Sequence, residues 1–258
     1  MSLIGKTVLV TGSSRGIGLE IAKAFYLKGA IVIIASRHGA GAVADALDPS
    51  GERVLGLDMD VTNQDQVRRG IGKIVRIFGS LDVLVSNAGN QMLESIDKMH
   101  FSDWRQIVGV HLDGAFLVTK YALMQMYKAK RGGSVIYIGS VHSKEASILK
   151  GPYVAAKHGV VGLAKVVAKE GAKHKVRANV ICPGYVNTSL VKKQIPEQAK
   201  ALGVPASSIV KNVFLKNTVD NEFTTTDEVA QTAIFLATFP TMALTGQSII
   251  VSHGWHMD

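Results

Sequence analysis

The chain has 258 residues, 47% of them hydrophobic and 19% charged, which supplies one large core and points away from disorder. Its formal charge of +9 would suit nucleic acid, an acidic membrane or small anions, but the basic residues are dispersed and no nucleic-acid motif accompanies them; the densest group, Lys128, Lys130 and Arg131, reads as a solvated helix end. A single cysteine, Cys182, rules out an internal disulfide, and the N-terminus lacks separate basic and apolar signal regions, so the expected location is the cytoplasm.

The first predicted element is a short apolar strand at 6–11, followed by a helical repeat of apolar residues over 16–28. Apolar runs without alternation recur at 30–35, 53–57 and 82–86, with a helical pattern over 64–78. A long helix is expected near 101–129, then a strand at 134–138, a helix at 153–171 and a strand at 176–181. The last elements are a helix at 227–238 and a strand at 248–251. Unalternated short strands separated by helices predict a parallel sheet covered on both faces. With no internal repeat and no linker, 1–258 reads as one α/β domain, a Rossmann-type doubly wound parallel sheet. The stretch 184–226 departs from this pattern. It is long and polar, with short helical pieces expected at 197–202 and 206–212, and it predicts a helical substrate lid over about 185–226. The stretch 229–257 has no Asp, Glu, Lys or Arg, but Pro240, several threonines, Gln231 and Gln247 interrupt it. A buried helix plus strand is expected there, and no membrane partner.

Two sites carry chemistry. The first strand continues through Gly12-Ser13-Ser14-Arg15-Gly16-Ile17-Gly18 into a helix. Glycines allow a tight turn and close backbone approach, while the helix N-terminus offers unpaired N–H groups and a positive dipole to a pyrophosphate. At the end of the second strand stands Ser36-Arg37, without the acidic residue that would hold the adenosine ribose and repel a 2′-phosphate. With Arg15 in the turn, two basic groups favour NADP(H), leaving NAD(H) open as the alternative. The second site is Tyr153 and Lys157, which share one face of a helix. A phenol titrates near 10, too high for an efficient base, and a nearby ammonium would lower it.

The turn T-G-x-x-x-G-x-G, Ser86-Asn87-Ala88-Gly89 and the Tyr153/Lys157 pair, in that order, resemble the short-chain dehydrogenase/reductase superfamily over essentially the whole chain. The resemblance implies an oxidoreductase in which Tyr153 exchanges a proton with the substrate oxygen. Lys157 would tune it and bind the nicotinamide ribose, and Ser140 would orient the substrate. It implies adenine contacts from Asp60 and Val61 and a turn beneath the adenosine ribose from Asn87, Ala88 and Gly89. Nicotinamide-side contacts would come from Pro183, Gly184, Val186 and Thr188. Val110-His111-Leu112 places His111 where the family commonly has a catalytic asparagine. His111 is either a relay residue that titrates near neutrality or a helix histidine bonded to backbone.

The segments 153–162, 178–184 and 190–195 are similar to bacterial D-3-hydroxybutyrate dehydrogenases. That similarity implies a small carboxylic acid held by Gln91, His142, Lys150 and Gln194, with Tyr185 and Trp255 as aromatic neighbours. Tyr185 stands where that group has a tryptophan. The expected reaction is interconversion of a short 3-hydroxy acid and its 3-oxo acid. The alternatives are a 3-oxoacyl thioester or sugar-alcohol reductase, and a cofactor-binding regulator with little catalysis. A homotetramer is implied by the family, no nucleic-acid partner is expected, and no metal site is read.

Overall fold

A computed structural model describes residues 2–257, the side chain of Leu190 excepted. The chain begins with β1 (Thr7–Thr11), α1 (Gly16–Leu27), β2 (Ile31–Ser36), α2 (Ala40–Leu47), β3 (Val54–Asp58), α3 (Gln64–Phe78) and β4 (Val83–Ser86). Next come α4 (Phe101–Val108), a π-turn (Gly109–Asp113), α5 (Gly114–Ala129), β5 (Gly133–Ile138), α6 (Gly151–Gly171) and β6 (Val176–Pro183). The remainder carries α7 (Ser189–Leu202), the short α8 (Ala206–Ile209), a second π-turn (Val210–Phe214), α9 (Thr226–Thr238) and β7 (Ser248–Val251).

The strands form one seven-stranded parallel sheet in the order β3-β2-β1-β4-β5-β6-β7. Parallel neighbours need crossover helices, and helices on both faces bury alternate residues alike, which is why the strand runs are apolar without alternation. Leu9, Ile33 and Tyr137 pack on one face with α3, α5 and α6; Val8, Ile34 and Ile136 pack on the other with α1, α2 and α9. This is the expected doubly wound, Rossmann-type sheet. Strand order reverses between β1 and β4, the switch point where open α/β sheets bind ligands beyond the strands' carboxyl ends.

Several elements differ from the sequence expectation: α6 starts two residues early, a π-turn splits the 101–129 helix, the 206–212 piece is α8 plus a π-turn, and three further differences have physical reasons. The helix α2 is absent from the sequence expectation: Ala-Gly-Ala-Val-Ala-Asp-Ala-Leu carries only two large apolar residues, Val43 and Leu47, four apart, a stretch too short for its period to mark a helix. It forms by close approach to β3: a Cβ on Gly56 would lie 2.5 Å from the Gly41 backbone. The strand β6 runs two residues past its expected end, since Cys182 and Pro183 stay in register with Ile250 and Val251 of β7. The helix α7 begins at Ser189, not at 197. Thr188 caps it by accepting from Val191 N at 3.4 Å, and Pro196, which suggests a helix start, sits inside it.

The stretch 184–226 builds its own small cluster from Ala199, Ile209 and Phe214, with Tyr185, Val191 and Phe223 against it. Its ends are tied together: Thr224 N donates to Tyr185 O at 3.0 Å, and Asn187 N donates to Thr224 O at 3.1 Å. The charge-free stretch 229–257 holds most of α9 and all of β7. Among the described residues, Phe101–Ala129 is the segment long and apolar enough to cross a membrane by length and composition, and half of its apolar window is buried within the fold.

Candidate active site

A cleft of about 610 Å³ opens at the carboxyl ends of the strands, over the switch point. Every residue nominated from the sequence lines it. They fall into a nucleotide end, a central group and an end built around Lys150.

The nucleotide end is built by the glycine turn locked onto the end of β4. Gly12 has φ +65°, and a Cβ there would lie 2.7 Å from Ala88 Cα; one on Gly18 would collide with Asn87 Nδ2. Asn87 Nδ2 donates to Thr11 O at 2.9 Å and Gly12 O at 3.1 Å. Thr11 Oγ1 accepts from Asn87 N and Ala88 N at 3.0 and 3.1 Å, so Asn87, Ala88 and Gly89 are pinned to the turn. Ser14, Arg15, Gly16 and Ile17 line the cleft where α1 begins, and no side chain caps that helix. Its first amides and its dipole are left to an anion, and the space beside Gly16 is open, with Thr188 Cγ2 the nearest atom at 3.9 Å. These residues fit the pyrophosphate of a dinucleotide. Farther out, Ser36, Arg37, Asp60 and Val61 surround the cleft mouth. Arg15 and Arg37 are exposed, and neither forms an ion pair among the described residues. Asp60 Oδ1 is occupied by Thr62 N and Oγ1, at 2.9 and 2.8 Å. Pro183, Gly184, Val186 and Thr188 form the opposite wall, where β6 passes into α7.

At the centre, Ser140 follows β5 and caps a 3₁₀ turn, Val141–Ser143. Its Oγ accepts from His142 N and its own N–H donates to Ser143 Oγ, both at 3.2 Å. The Ser140 hydroxyl also bonds the Tyr153 side chain. Tyr153 and Lys157 stand one turn apart on α6, with Lys157 Nζ 5.5 Å from the phenol ring centre and donating to Ile138 O at 2.5 Å. Burial pushes Tyr153 up, opposed by the Ser140 hydrogen bond, so the chain's own groups do not produce the expected lowering. Burial also brings Lys157 down to about 8.

His111 lies in the first π-turn, and the missing Cβ of Gly89 makes room for its ring. Nε2 lies 2.7 Å from Asn90 O, and the ring stands edge-on to Tyr153 with centroids 5.1 Å apart. Burial, then the charge of Lys157, hold its pKa down to about 3. The imidazole is therefore neutral across the working range, and the expected titration near neutrality is corrected.

The Lys150 end is lined by buried side chains and rich in unused donors. Lys150 is 3% exposed; its Nζ donates to Tyr185 Oη at 2.9 Å, and no acidic side chain among the described residues pairs with it. Burial lowers it to about 8. His142 is held down to about 3 by burial first and by Lys150 second. Tyr185 stacks on Phe214 and Trp255, at 3.9 and 4.9 Å between centroids, and His142 stands edge-on to Trp255. Gln194 reaches the same space from α7. Gln91 Nε2, His142 Nδ1 and Trp255 Nε1 are buried without a hydrogen-bond partner. Buried polar groups left unpaired are costly, and their convergence on a buried ammonium suits an anion with several acceptor oxygens.

Of the polar residues at or beside the cleft that the sequence reading missed, His38, Asn90 and Gln198 bear on the site. His38 continues the Ser36-Arg37 loop and lines the nucleotide end. Asn90 holds His111 through its backbone, and its Oδ1 is buried without a partner. Gln198, buried beside the Tyr185 hydroxyl, also has an unpartnered Nε2. It lies one turn beyond Gln194 on α7, a face visible only once that helix is known to begin at Ser189.

Residues 6–199 match the model of the short chain dehydrogenase family. The chain is 37% identical over 258 residues to a D-beta-hydroxybutyrate dehydrogenase of Rhizobium meliloti, covering 97% of this chain and 98% of that one. It is 32% identical over 255 residues to a 3-oxoacyl-(acyl-carrier-protein) reductase of Chlamydia muridarum, covering 98% of each. A crystal structure of a short-chain type dehydrogenase/reductase from Mycobacterium marinum superposes with a TM-score of 0.88 at 29% identity, covering 98% of this chain and 96% of that one. The chain therefore belongs to the short-chain dehydrogenase family, as an oxidoreductase of CH–OH groups that works with a nicotinamide cofactor.

Proposed function

We propose that the protein interconverts a short 3-hydroxy acid, of the D-3-hydroxybutyrate type, and its 3-oxo acid, with NADP(H) favoured over NAD(H). The observation that carries the substrate class is Lys150. A buried ammonium without a carboxylate partner, ringed by unpaired donors, lies in the same cleft as Tyr153. A substrate carboxylate supplies the missing counter-charge, with Gln91, His142 and Gln194 fixing its oxygens.

The central residues then act on the hydroxyl. Ser140 Oγ, already oriented by His142 N–H, bonds the reacting oxygen. Tyr153 takes the hydroxyl proton in oxidation and returns it in reduction. Lys157 lies close enough to favour the phenolate when charged, and it can reach the ribose of a bound nucleotide. A bound nicotinamide supplies the hydride acceptor or donor at C3. His111, neutral and held by Asn90, keeps the edge of Tyr153 in place. Arg15, Arg37 and His38 line the cleft mouth where a 2′-phosphate would lie, which supports the NADP preference.

In this reading residues 1–258 act as one domain, with about 185–226 as the lid over the acid. The unit works in the reducing cytoplasm. Exposed Phe116, Met124 and Val166 on α5 and α6 favour a homotetramer that buries them.

The test is a spectrophotometric screen of short hydroxy acids at about 340 nm, the nicotinamide absorbance, with both nucleotides. Turnover of D-3-hydroxybutyrate or a close homologue, with higher kcat/KM on NADP, is expected. Turnover of 3-oxoacyl thioesters alone, unaffected by Lys150→Ala, would replace this reading with the thioester one.

A further inference from the structure

Trp255 enters the acid end from beyond β7 on a short hook, 252–256, and the hook is fastened outside the cleft. His253 Nδ1 lies 2.6 Å from Asp220 Oδ2, and its Nε2 lies 3.3 Å from Glu228 Oε2. One imidazole thus bridges carboxylates on two segments: the turn that closes the 184–226 stretch and the first turn of α9. The His253 carbonyl accepts from Val219 N at 2.9 Å. Glu228 Oε2 is itself fixed by Thr225 N and Oγ1, at 2.7 and 2.9 Å. The next residue after Trp255, His256, is held too: its Nδ1 stands 3.6 Å from Glu145 Oε2. His253 has φ +52°, a left-handed conformation that few residues other than glycine adopt.

We infer that His253 is a positioning residue of the substrate pocket: through Asp220 and Glu228 it fastens the hook to the base of the 184–226 stretch, and so holds Trp255 against Tyr185 and His142. The inference rests on the proposed reading of that pocket as the acid site. His253 does not line the cleft, so its influence passes through the indole. A carboxylate can only accept, so engaging both ring nitrogens requires a proton on each. Asp220 and Glu228 together raise the pKa of His253 against the opposing effect of burial; the imidazole in turn lowers Asp220, while Glu228 is lowered first by Thr225 and then by His253. No charged group besides Asp220 and Glu228 shifts His253; the neighbouring His256 is engaged with Glu145. The clamp is therefore complete above the lowered carboxylate values and below the raised imidazole value. As pH rises through the latter, one ring nitrogen loses its proton and faces an acceptor with a lone pair.

The test reads Trp255 directly. The chain has two tryptophans, so Trp104→Phe leaves Trp255 as the only indole. Emission of that protein is followed from about pH 5.5 to about pH 9.5, across the histidine range. A step to longer wavelength is expected at the alkaline side as the indole loosens. Asp220→Asn, which keeps the shape and removes one charge, moves the step to lower pH, and His253→Gln abolishes it. On the hydroxy acid, His253→Gln raises KM about tenfold with kcat changed less than about twofold, a loss of uniform binding. The titration of Lys150 in KM persists in that variant, which separates the two groups. An emission step that Asp220→Asn leaves in place and His253→Gln retains, or an unchanged KM in His253→Gln, overturns the clamp. A step that moves as described in a protein that turns over no hydroxy acid upholds the clamp and removes the acid-site reading instead.

Discussion

The two ends of the cleft are built on opposite terms. At the nucleotide end the protein's own bonds are complete: Thr11 Oγ1 and Asn87 Nδ2 satisfy the turn, and the space at Gly12 and Gly18 is filled by Ala88 and Asn87. Only helix amides and exposed arginines remain for a ligand. At the Lys150 end the polar side chains are buried but left unmet. Lys150 has one neutral partner, and Gln91, His142 and Trp255 carry buried atoms with none. The difference teaches that backbone shape recognises the part of the ligand common to many enzymes. Costly, unsatisfied side chains recognise the part that is particular.

The sharpest way to separate the ends is to remove the group between them. Tyr153→Phe lowers kcat roughly a hundred- to ten-thousandfold, because the proton loses its carrier, while nucleotide binding measured by fluorescence titration stays intact. Next in size is Gly18→Ala. Its methyl meets Asn87 Nδ2 and the Gly12 carbonyl, so a urea melt should show a loss of about 1–3 kcal/mol, with weakened nucleotide binding.

Lys150→Met should behave in the opposite way. Removing an unpaired buried cation spares or raises Tm even though acid binding collapses. The sign follows from its folded-state pKa of about 8, below the value of about 10.4 for a free lysine. The unfolded chain binds the extra proton between those values, so this group's penalty is full below about 8 and is relieved as pH rises toward about 10.4. Lys150→Met should remove that part of the pH dependence of stability; a Tm that falls sharply in the variant would break the comparison. The smallest effect belongs to the exposed rim. Arg37→Ala should cost NADP about fivefold in kcat/KM, less at high salt, with NAD unchanged.

Much of this was legible in the sequence because its physics is local. The glycine turn, the Tyr153/Lys157 spacing and the unalternated strands each need only neighbours in the chain, and the sheet followed from them. What escaped depended on distant contacts. The helix α2 owes its place to the approach of Gly41 to Gly56, and the start of α7 was hidden behind Pro196, so Gln198 went unseen. The neutrality of His111 comes from burial and from Lys157, neither of which a sequence displays. Likewise, the resemblance names Lys150 as a binding residue, but its burial and its single neutral partner, the Tyr185 hydroxyl, are set by residues far along the chain.

The central claim is that Lys150 holds a carboxylate while Tyr153 exchanges the proton of the same molecule's hydroxyl. The direct measurement is kcat/KM for D-3-hydroxybutyrate against its methyl ester, in the wild type and in Lys150→Ala. A charge-assisted bond of about 1.5–3 kcal/mol predicts that the wild type prefers the acid by roughly ten- to a hundredfold and that the variant loses the preference. Equal turnover of acid and ester by the wild type, or a preference that survives in Lys150→Ala, would contradict it.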